Sequence, residues 1–545
     1  MRIKAQIHRN IDLKVLASSL LAGVGYFLVG FYWASRIQIW GDEAFTIQLI
    51  KLDFTKISQL TAADVHPPLY YYLLRLWSEI FGKSELVLRS LGLGLMAIAV
   101  SLMILIAYKY FSNQVARIVG LIMILSPFAM RLGLEIRMYG LAFLIVCLIV
   151  WFYLSYKTGN SSRLSLLAMA VFSALAMYTH YYSAFLLIGI GMIEYWDQNQ
   201  EISLRGIRSF MTSSWFVRMG AMAVILYLPW IGVFISKTVG FNGGFWVPKP
   251  NLLSLLYVPV LFLSNIEEYI LGGLPALIVM LILAILIIFN FQRLVDFYQV
   301  VTKRARKERF YYVWRFFIRL YLVSGIIMLL ISLVFNTSVF YGRYLSVSIF
   351  IAFVFVLAGL IGGILPAKAR TILIVLTVVV LVIGNVYSFC YGNTRLLSGN
   401  WVTVFQGKSV LECTQNSSKG NIYLVDADDI LLEYNYYLRD ILSKDRDDQI
   451  YLVGDSDQID INASTWKRVI DASHELEYFS FAEAVERFDF AKGNVWYITM
   501  GDAVFGDGDQ RGQVTSHDYQ VTQVCQPDAR LLTSYDAARA YLLVP

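Results

Sequence analysis

The segment 64-DVHPPLYYYLLRLWSEIFGK-83 decides how the chain is threaded. Its apolar part, Leu69 to Phe81, is too short to cross a bilayer, which takes roughly 17–25 residues. It is also two-sided: Arg75, Ser78, Glu79 and Gly82 recur at helical spacing, with Leu73, Leu74, Leu76, Trp77 and Ile80 around them. The pattern predicts a helix lying in the membrane interface, entered through a rigid Pro67-Pro68 turn. Reading it as a span would reverse the side of every later loop.

Working outward, apolar runs near spanning length fall at 13–33, 86–108, 118–132, 138–156, 164–180, 182–196, 218–236, 269–291, 314–335, 344–364 and 371–391, eleven in all. With the N-terminus inside, the cytoplasmic loops then carry Lys109 and Arg117; Lys157 and Arg163; Arg205, Arg208 and Arg218; Lys303, Arg304, Arg306 and Lys307; and Lys368 and Arg370. All five obey the positive-inside rule. Arg2, Lys4, Arg9 and Lys14 precede the first run without a small-residue cleavage site before Arg36, the pattern of an uncleaved signal anchor.

Composition agrees. Of 545 residues, 58% are hydrophobic and 15% aromatic, and the mean hydropathy is +0.59. A water-soluble domain cannot bury that apolar fraction. The net charge of +6 hides an asymmetry: residues 1–390 hold 32 Lys/Arg and 15 Asp/Glu, and residues 391–545 hold 13 and 24. A basic membrane part and an acidic tail are expected to be separate domains. The expected fold class is a polytopic α-helical membrane protein of about 11 spans with a C-terminal extracytoplasmic α/β domain. The expected domains are 1–391, with a first outer loop at 34–85 that holds the interfacial helix, and 392–545. In the tail, strand-like runs Ile422–Val425, Ile450–Val453 and Val495–Thr499 alternate with helical patterns such as Ile430–Ile441. Cys413 and Cys525 can pair if the tail is outside the cell.

This threading sorts the unusual polar residues. Trp40-Gly41-Asp42-Glu43, Asp64-Val65-His66-Pro67-Pro68, Glu135-Ile136-Arg137-Met138-Tyr139, Tyr178-Thr179-His180-Tyr181-Tyr182, Pro248-Lys249-Pro250 and Tyr341-Gly342-Arg343-Tyr344 all fall at the outer face. Ionisable residues beside apolar spans are costly and mark functional sites. Asp42 or Glu43 can take a proton from an attacking hydroxyl. Arg137, Lys249 and Arg343 are cations in apolar or aromatic surroundings, suited to holding a phosphate. Each could instead snorkel to the interface, and Arg137 could pair with Glu135 or Asp42. His66 can orient an acceptor, bind an anion, or join Glu43 in holding a divalent metal ion, and the residues leave the three open. His180 reads as a helix-end histidine or a ligand. In the tail, Asp426-Ala427-Asp428, Asp455-Ser456-Asp457 and Asp507-Gly508-Asp509 mimic short acidic metal motifs. Arg511 breaks the calcium-loop frame that starts at Asp507.

Taken in order, Gly41-Asp42-Glu43, His66-Pro67-Pro68-Leu69, Glu135-Ile136-Arg137-Met138-Tyr139 and Arg343-Tyr344 resemble the C-type membrane glycosyltransferases (GT-C), in the branch of protein O-mannosyltransferases and lipid A aminoarabinose transferases, family 39. The resemblance covers about residues 1–390. It implies an inverting enzyme that moves a sugar from a polyprenyl-phosphate donor to a glycan, lipid or protein acceptor, with Asp42 as base. Catalysis is then expected at Asp42 and Glu43, and substrate binding at His66, Glu135, Arg137, Tyr139, His180, Lys249, Tyr341, Arg343 and Tyr344. Membrane lipids are the expected surroundings, the plasma (inner) membrane the expected location, and no nucleic acid is an expected partner. The competing class is a polytopic transporter or lipid flippase. A transporter usually carries ionisable residues near the midplane, whereas here they gather at one face.

Overall fold

In a computed structural model the chain is described over residues 10–159, 162–239, 250, 254–265, 309–335 and 338–390, and in the C-terminal part over 407–414, 421–425, 436–437, 448–453, 469, 477–479, 487, 494–500, 520–525 and 538–544. In chain order the helices are α1 (Leu13–Ala34), α2 (Gly41–Leu49), α3 (Phe54–Ala63), α4 (Leu69–Phe81), α5 (Glu85–Tyr110), α6 (Asn113–Leu125), α7 (Pro127–Leu134) and α8 (Tyr139–Lys157). There follow α9 (Arg163–Thr179), α10 (Ser183–Asn199), α11 (Leu204–Ser213), α12 (Trp215–Val239), α13 (Ser254–Ser264), α14 (Arg309–Val334), α15 (Gly342–Ile364), α16 (Ala367–Cys390) and α17 (Gly407–Thr414).

Among the described residues, seven helices are long and apolar enough to cross a membrane: α1, α5, α8, α12, α14, α15 and α16. The pair α6–α7, bent by 61°, passes the same test only when taken together, as a broken span or a re-entrant loop, and α9 is a shorter apolar helix. The protein is therefore a multi-pass membrane protein, as its hydropathy requires. The expected run at 269–291 lies outside the described residues, and every other expected run overlaps a helix. Large apolar residues face outward along the spans, for example Leu20, Val24 and Leu28 on α1 and Ile372, Val375, Val379 and Ile383 on α16. Exposed apolar surface on that scale needs lipid to cover it.

The break between α6 and α7 has a local cause. Pro127 has no N–H to donate and pushes Ser126 out of the helical region. Ser126 then caps α7 by accepting the Ala129 N–H at 3.1 Å, and its own hydroxyl donates to the Phe262 carbonyl at 2.9 Å. The short helix that results is buried along its whole length, Arg131 included. Small residues let it sit deep. A Cβ at Gly133 would meet the Tyr26 hydroxyl at 2.6 Å, and one at Gly92 would meet the Gly133 carbonyl at 2.6 Å. Tyr26 in turn donates to the Ala129 carbonyl at 2.7 Å.

The chain divides into two compact units: Met1–Ala34, Val65–Tyr70 and Leu86–Tyr387 form the first, and Ser35–Asp64, Tyr71–Glu85 and Ser388–Pro545 the second. Helix α4 spans the residues foreseen for the interfacial helix. Tyr70, Tyr71, Leu74 and Ser78 are buried, while Leu76, Ile80 and Phe81 are exposed. A buried face and an exposed apolar face suit a helix lying in an interface. In the second unit Asp53 caps α3, accepting the Lys56 N–H at 2.9 Å, and that bond holds its carboxyl below the usual range.

The second unit also holds a six-stranded sheet, ordered β3-β2-β1-β4-β6-β5. Its strands are β1 (Asn421–Val425), β2 (Gln449–Val453), β3 (Glu477–Phe479), β4 (Asn494–Met500), β5 (Gln520–Cys525) and β6 (Ala538–Val544). The first four are parallel, and β6 and β5 add on antiparallel. The continuous apolar runs of β1 and β4 suit the central positions, where both faces are covered. The helix expected at 430–441 lies outside the described residues apart from Tyr436 and Tyr437, and so do the three acidic motifs of the tail. Tyr437 accepts the Ile39 N–H at 2.5 Å, which ties the segment before α2 to the C-terminal part within the second unit. Cys413 on α17 and Cys525 on β5 form a disulfide across 112 residues. Closing a loop of that length removes unfolded-chain freedom worth on the order of 4–5 kcal/mol.

Candidate active site

The first unit gathers eight of the expected site residues into one buried patch. Four connecting segments deliver them. Val65–Tyr70 brings His66. The turn from α7 to α8 brings Glu135, Arg137 and Tyr139. The turn from α9 to α10 brings His180. The start of α15 brings Tyr341, Arg343 and Tyr344. All eight are at most 5% exposed.

Glu135 is the electrostatic pivot. It ends α7 and is fully buried, and one carboxylate oxygen accepts from the Arg131 Nε at 2.9 Å. Its other oxygen faces the Arg343 Nη1 at 3.4 Å. Arg131 also donates to the Asn265 side chain at 3.2 Å. Desolvating such a triad costs several kcal/mol per ion, so its value lies in fixing geometry rather than in stability. The Arg343 guanidinium carbon lies 5.4 Å from the Tyr341 ring centre and 5.7 Å from that of Tyr139, a cation–π arrangement on both.

Arg137 Nη2 is 3.3 Å from the His66 Nδ1. A guanidinium can only donate, so this His66 nitrogen accepts and its proton sits on Nε2. The His66 ring meets His180 edge-on at 5.5 Å and Tyr344 at 6.3 Å. His180 caps the end of α9, and its Nδ1 accepts the Tyr182 N–H at 3.2 Å. That bond places the ring proton on Nε2. The Nε2 is buried and, among the described residues, has no hydrogen-bond partner. A buried donor left over in a patch of arginines, histidines and tyrosines is ready for an anionic oxygen. The rings of Tyr139, Tyr182 and Tyr344 lie 5.9, 5.3 and 5.3 Å from that of His180.

Of the remaining expected residues, two belong to the second unit and one lies outside the described residues. Asp42 and Glu43 belong to the second unit, in the first turn of α2. Glu43 is fully buried, and its Oε2 accepts the Trp40 N–H at 3.4 Å, a capping contact at the helix start. Asp42 is half-buried. Lys249 lies outside the described residues. Among the described residues no group of three or more His, Cys, Asp or Glu gathers as a metal site, and the His66 Nδ1 is turned toward a cation.

Three contributors escaped the sequence reading. Arg89, fully buried on α5, donates to the Leu134 carbonyl at 2.8 Å and holds the end of α7. Arg131 holds the Glu135 carboxylate, and Asn265 holds Arg131. For the two arginines the signal was present: each is a lone charge inside an apolar run, which is expensive unless used.

Residues 65–232 match the family described as dolichyl-phosphate-mannose-protein mannosyltransferase. No curated protein matches. Two similar solved structures are crystal structures of ArnT from Cupriavidus metallidurans. One, bound to undecaprenyl phosphate, has a TM-score of 0.48 and 12% identity, over 97% of this chain and 97% of that one. The other, in the apo state, has a TM-score of 0.44 and 12% identity, over 97% and 98%. The matched segment contains His66, Glu135, Arg137, Tyr139 and His180, and over it the chain resembles the C-type mannosyltransferases, as its motifs indicate.

Proposed function

We propose that the protein is an inverting glycosyltransferase that moves a sugar from a polyprenyl-phosphate donor to an acceptor hydroxyl on a cell-envelope glycan, lipid or protein. The observation that carries this reading is the buried patch of Arg137, Arg343, His66 and His180 among tyrosines, within a multi-pass membrane protein. A lipid-borne phosphate reaches such a patch from the bilayer side. The matched family description names a dolichyl-phosphate sugar, a donor of the same class.

In this reading Arg343 binds the phosphate through its fork of donors, and the His180 Nε2–H adds a neutral donor. Glu135 acts through the arginines as a positioning residue. The tyrosine rings shield the charges from water and strengthen them. Asp42 serves as base, with Glu43 holding the α2 turn that carries it. Lys249 is a further cation for the phosphate. The patch and the tail are assigned to the outer face of the inner membrane. The Cys413–Cys525 disulfide supports that side, because disulfides persist in oxidising compartments. So do the basic loops assigned to the inner face.

Mass spectrometry of envelope glycans and glycolipids, with and without the protein, tests the reading. One glycan or glycolipid should lose one sugar residue when the protein is removed. An unchanged envelope, alongside an accumulated or mislocalised intact lipid, would favour a flippase instead.

A further inference from the structure

A second concentration of positive charge lies at the other end of α5. Arg89, which supports the site patch, and Lys109 are on the same helix, and at 1.5 Å per residue they are roughly 30 Å apart. There Lys109 Nζ lies 5.4 Å from the Tyr110 ring centre and 4.5 Å from that of Trp151 on α8. The Arg309 guanidinium carbon, at the start of α14, lies 4.6 Å from the same Tyr110 ring. Two cations from different spans thus share one aromatic ring. Among the described residues neither makes an ion pair. The Nε and Nη2 of Arg309 are shielded from solvent and, among the described residues, have no hydrogen-bond partner.

Like charges repel most strongly where water is excluded, and a shielded guanidinium nitrogen without an acceptor is costly. The cations' contacts with the rings offset part of this, but a ring supplies no lone pair to the Arg309 nitrogens. An anion between the two cations supplies both the charge and the acceptor. Its source follows from the place. The site is at the ends of spans, where headgroups lie, and Trp151 and Tyr110 are the ring types enriched there.

We propose that Lys109 and Arg309, on the Tyr110–Trp151 ring pair, bind the phosphate of an anionic phospholipid headgroup at the membrane face opposite the candidate active site. The lipid joins α5, α8 and α14 and is not consumed by the reaction.

The test is a titration of the full-length protein, purified in a zwitterionic detergent, with phosphatidylglycerol or phosphatidylcholine, read by native mass spectrometry. Wild type should bind phosphatidylglycerol in preference. The Lys109→Gln/Arg309→Gln double variant should bind it at least about tenfold more weakly, the loss expected for charge-assisted hydrogen bonds. Arg309→Lys keeps the charge and should retain much of the affinity, and the exposed Lys368→Gln should change nothing. Should the double variant fail to fold, Lys109→Gln alone carries the test with the same direction. Equal binding by wild type and the charge-removed variant overturns the proposal, as does an equal loss in Lys368→Gln. Inorganic phosphate that binds wild type but not the variant, without any phosphatidylglycerol preference, reassigns the site to a free anion and overturns the lipid assignment.

Discussion

Asp42→Asn should lower turnover by about 10²–10⁴-fold, the range that general-base catalysis supplies, while the protein still folds and still binds donor. The proposed reaction sets this size. An acceptor O–H gives its proton to the Asp42 carboxylate as the oxygen forms a bond to the anomeric carbon. The bond from that carbon to the phosphate oxygen breaks on the opposite side, and its electron pair leaves with the phosphate. The product is therefore inverted. Asparagine keeps the shape of the side chain and removes its basicity, so the loss should appear in kcat rather than in donor affinity. Glu43→Gln should act differently. Glu43 is fully buried and caps α2 through the Trp40 N–H, so its variant should chiefly lose stability. Near-normal turnover in Asp42→Asn, with the true acceptor, would remove Asp42 from the role.

Arg343→Ala should weaken binding of a polyprenyl-phosphate sugar by about 10- to 100-fold, the equivalent of one or two charge-assisted hydrogen bonds. The buried position between Tyr341 and Tyr139 raises the expected loss, because water cannot take the guanidinium's place. Arg343→Lys should recover only part of it, since an ammonium offers a point charge and no fork. The same change unbalances Glu135, which keeps Arg131 but loses its second cation. A stability measurement must therefore accompany the binding assay. Unchanged donor binding in folded Arg343→Ala would move the phosphate to Arg137 or Lys249.

Much of this arrangement could be read from the residues. The Pro67-Pro68 turn and the two-sided pattern after it gave α4 its residues 69–81, because both rest on local chemistry. The three strands expected in the tail are β1, β2 and β4, whose apolar runs are continuous. The antiparallel pair β5 and β6 was not singled out: Gln520–Cys525 alternates weakly, and its place depends on long-range pairing. The break at Ser126 was missed although Pro127 stood in plain view, because hydropathy averages across a proline. The same averaging hid Arg89 and Arg131 inside apolar runs. His180 was left between a satisfied histidine and a ligand, and its two nitrogens divide along that line: Nδ1 serves the turn, and Nε2 is left over. No sequence spacing could bring Asn265 to Arg131, 134 positions away.

Reconstituted protein should be given a polyprenyl-phosphate sugar and, separately, the corresponding nucleotide sugar, each with an envelope extract as acceptor. The measurement is release of the carrier. Sugar transfer with free polyprenyl phosphate as the co-product, and none from the nucleotide sugar, is the result expected of the phosphate-binding patch around Arg343 and His180. Transfer from the nucleotide sugar, or movement of the intact lipid across the membrane without loss of its sugar, would contradict it.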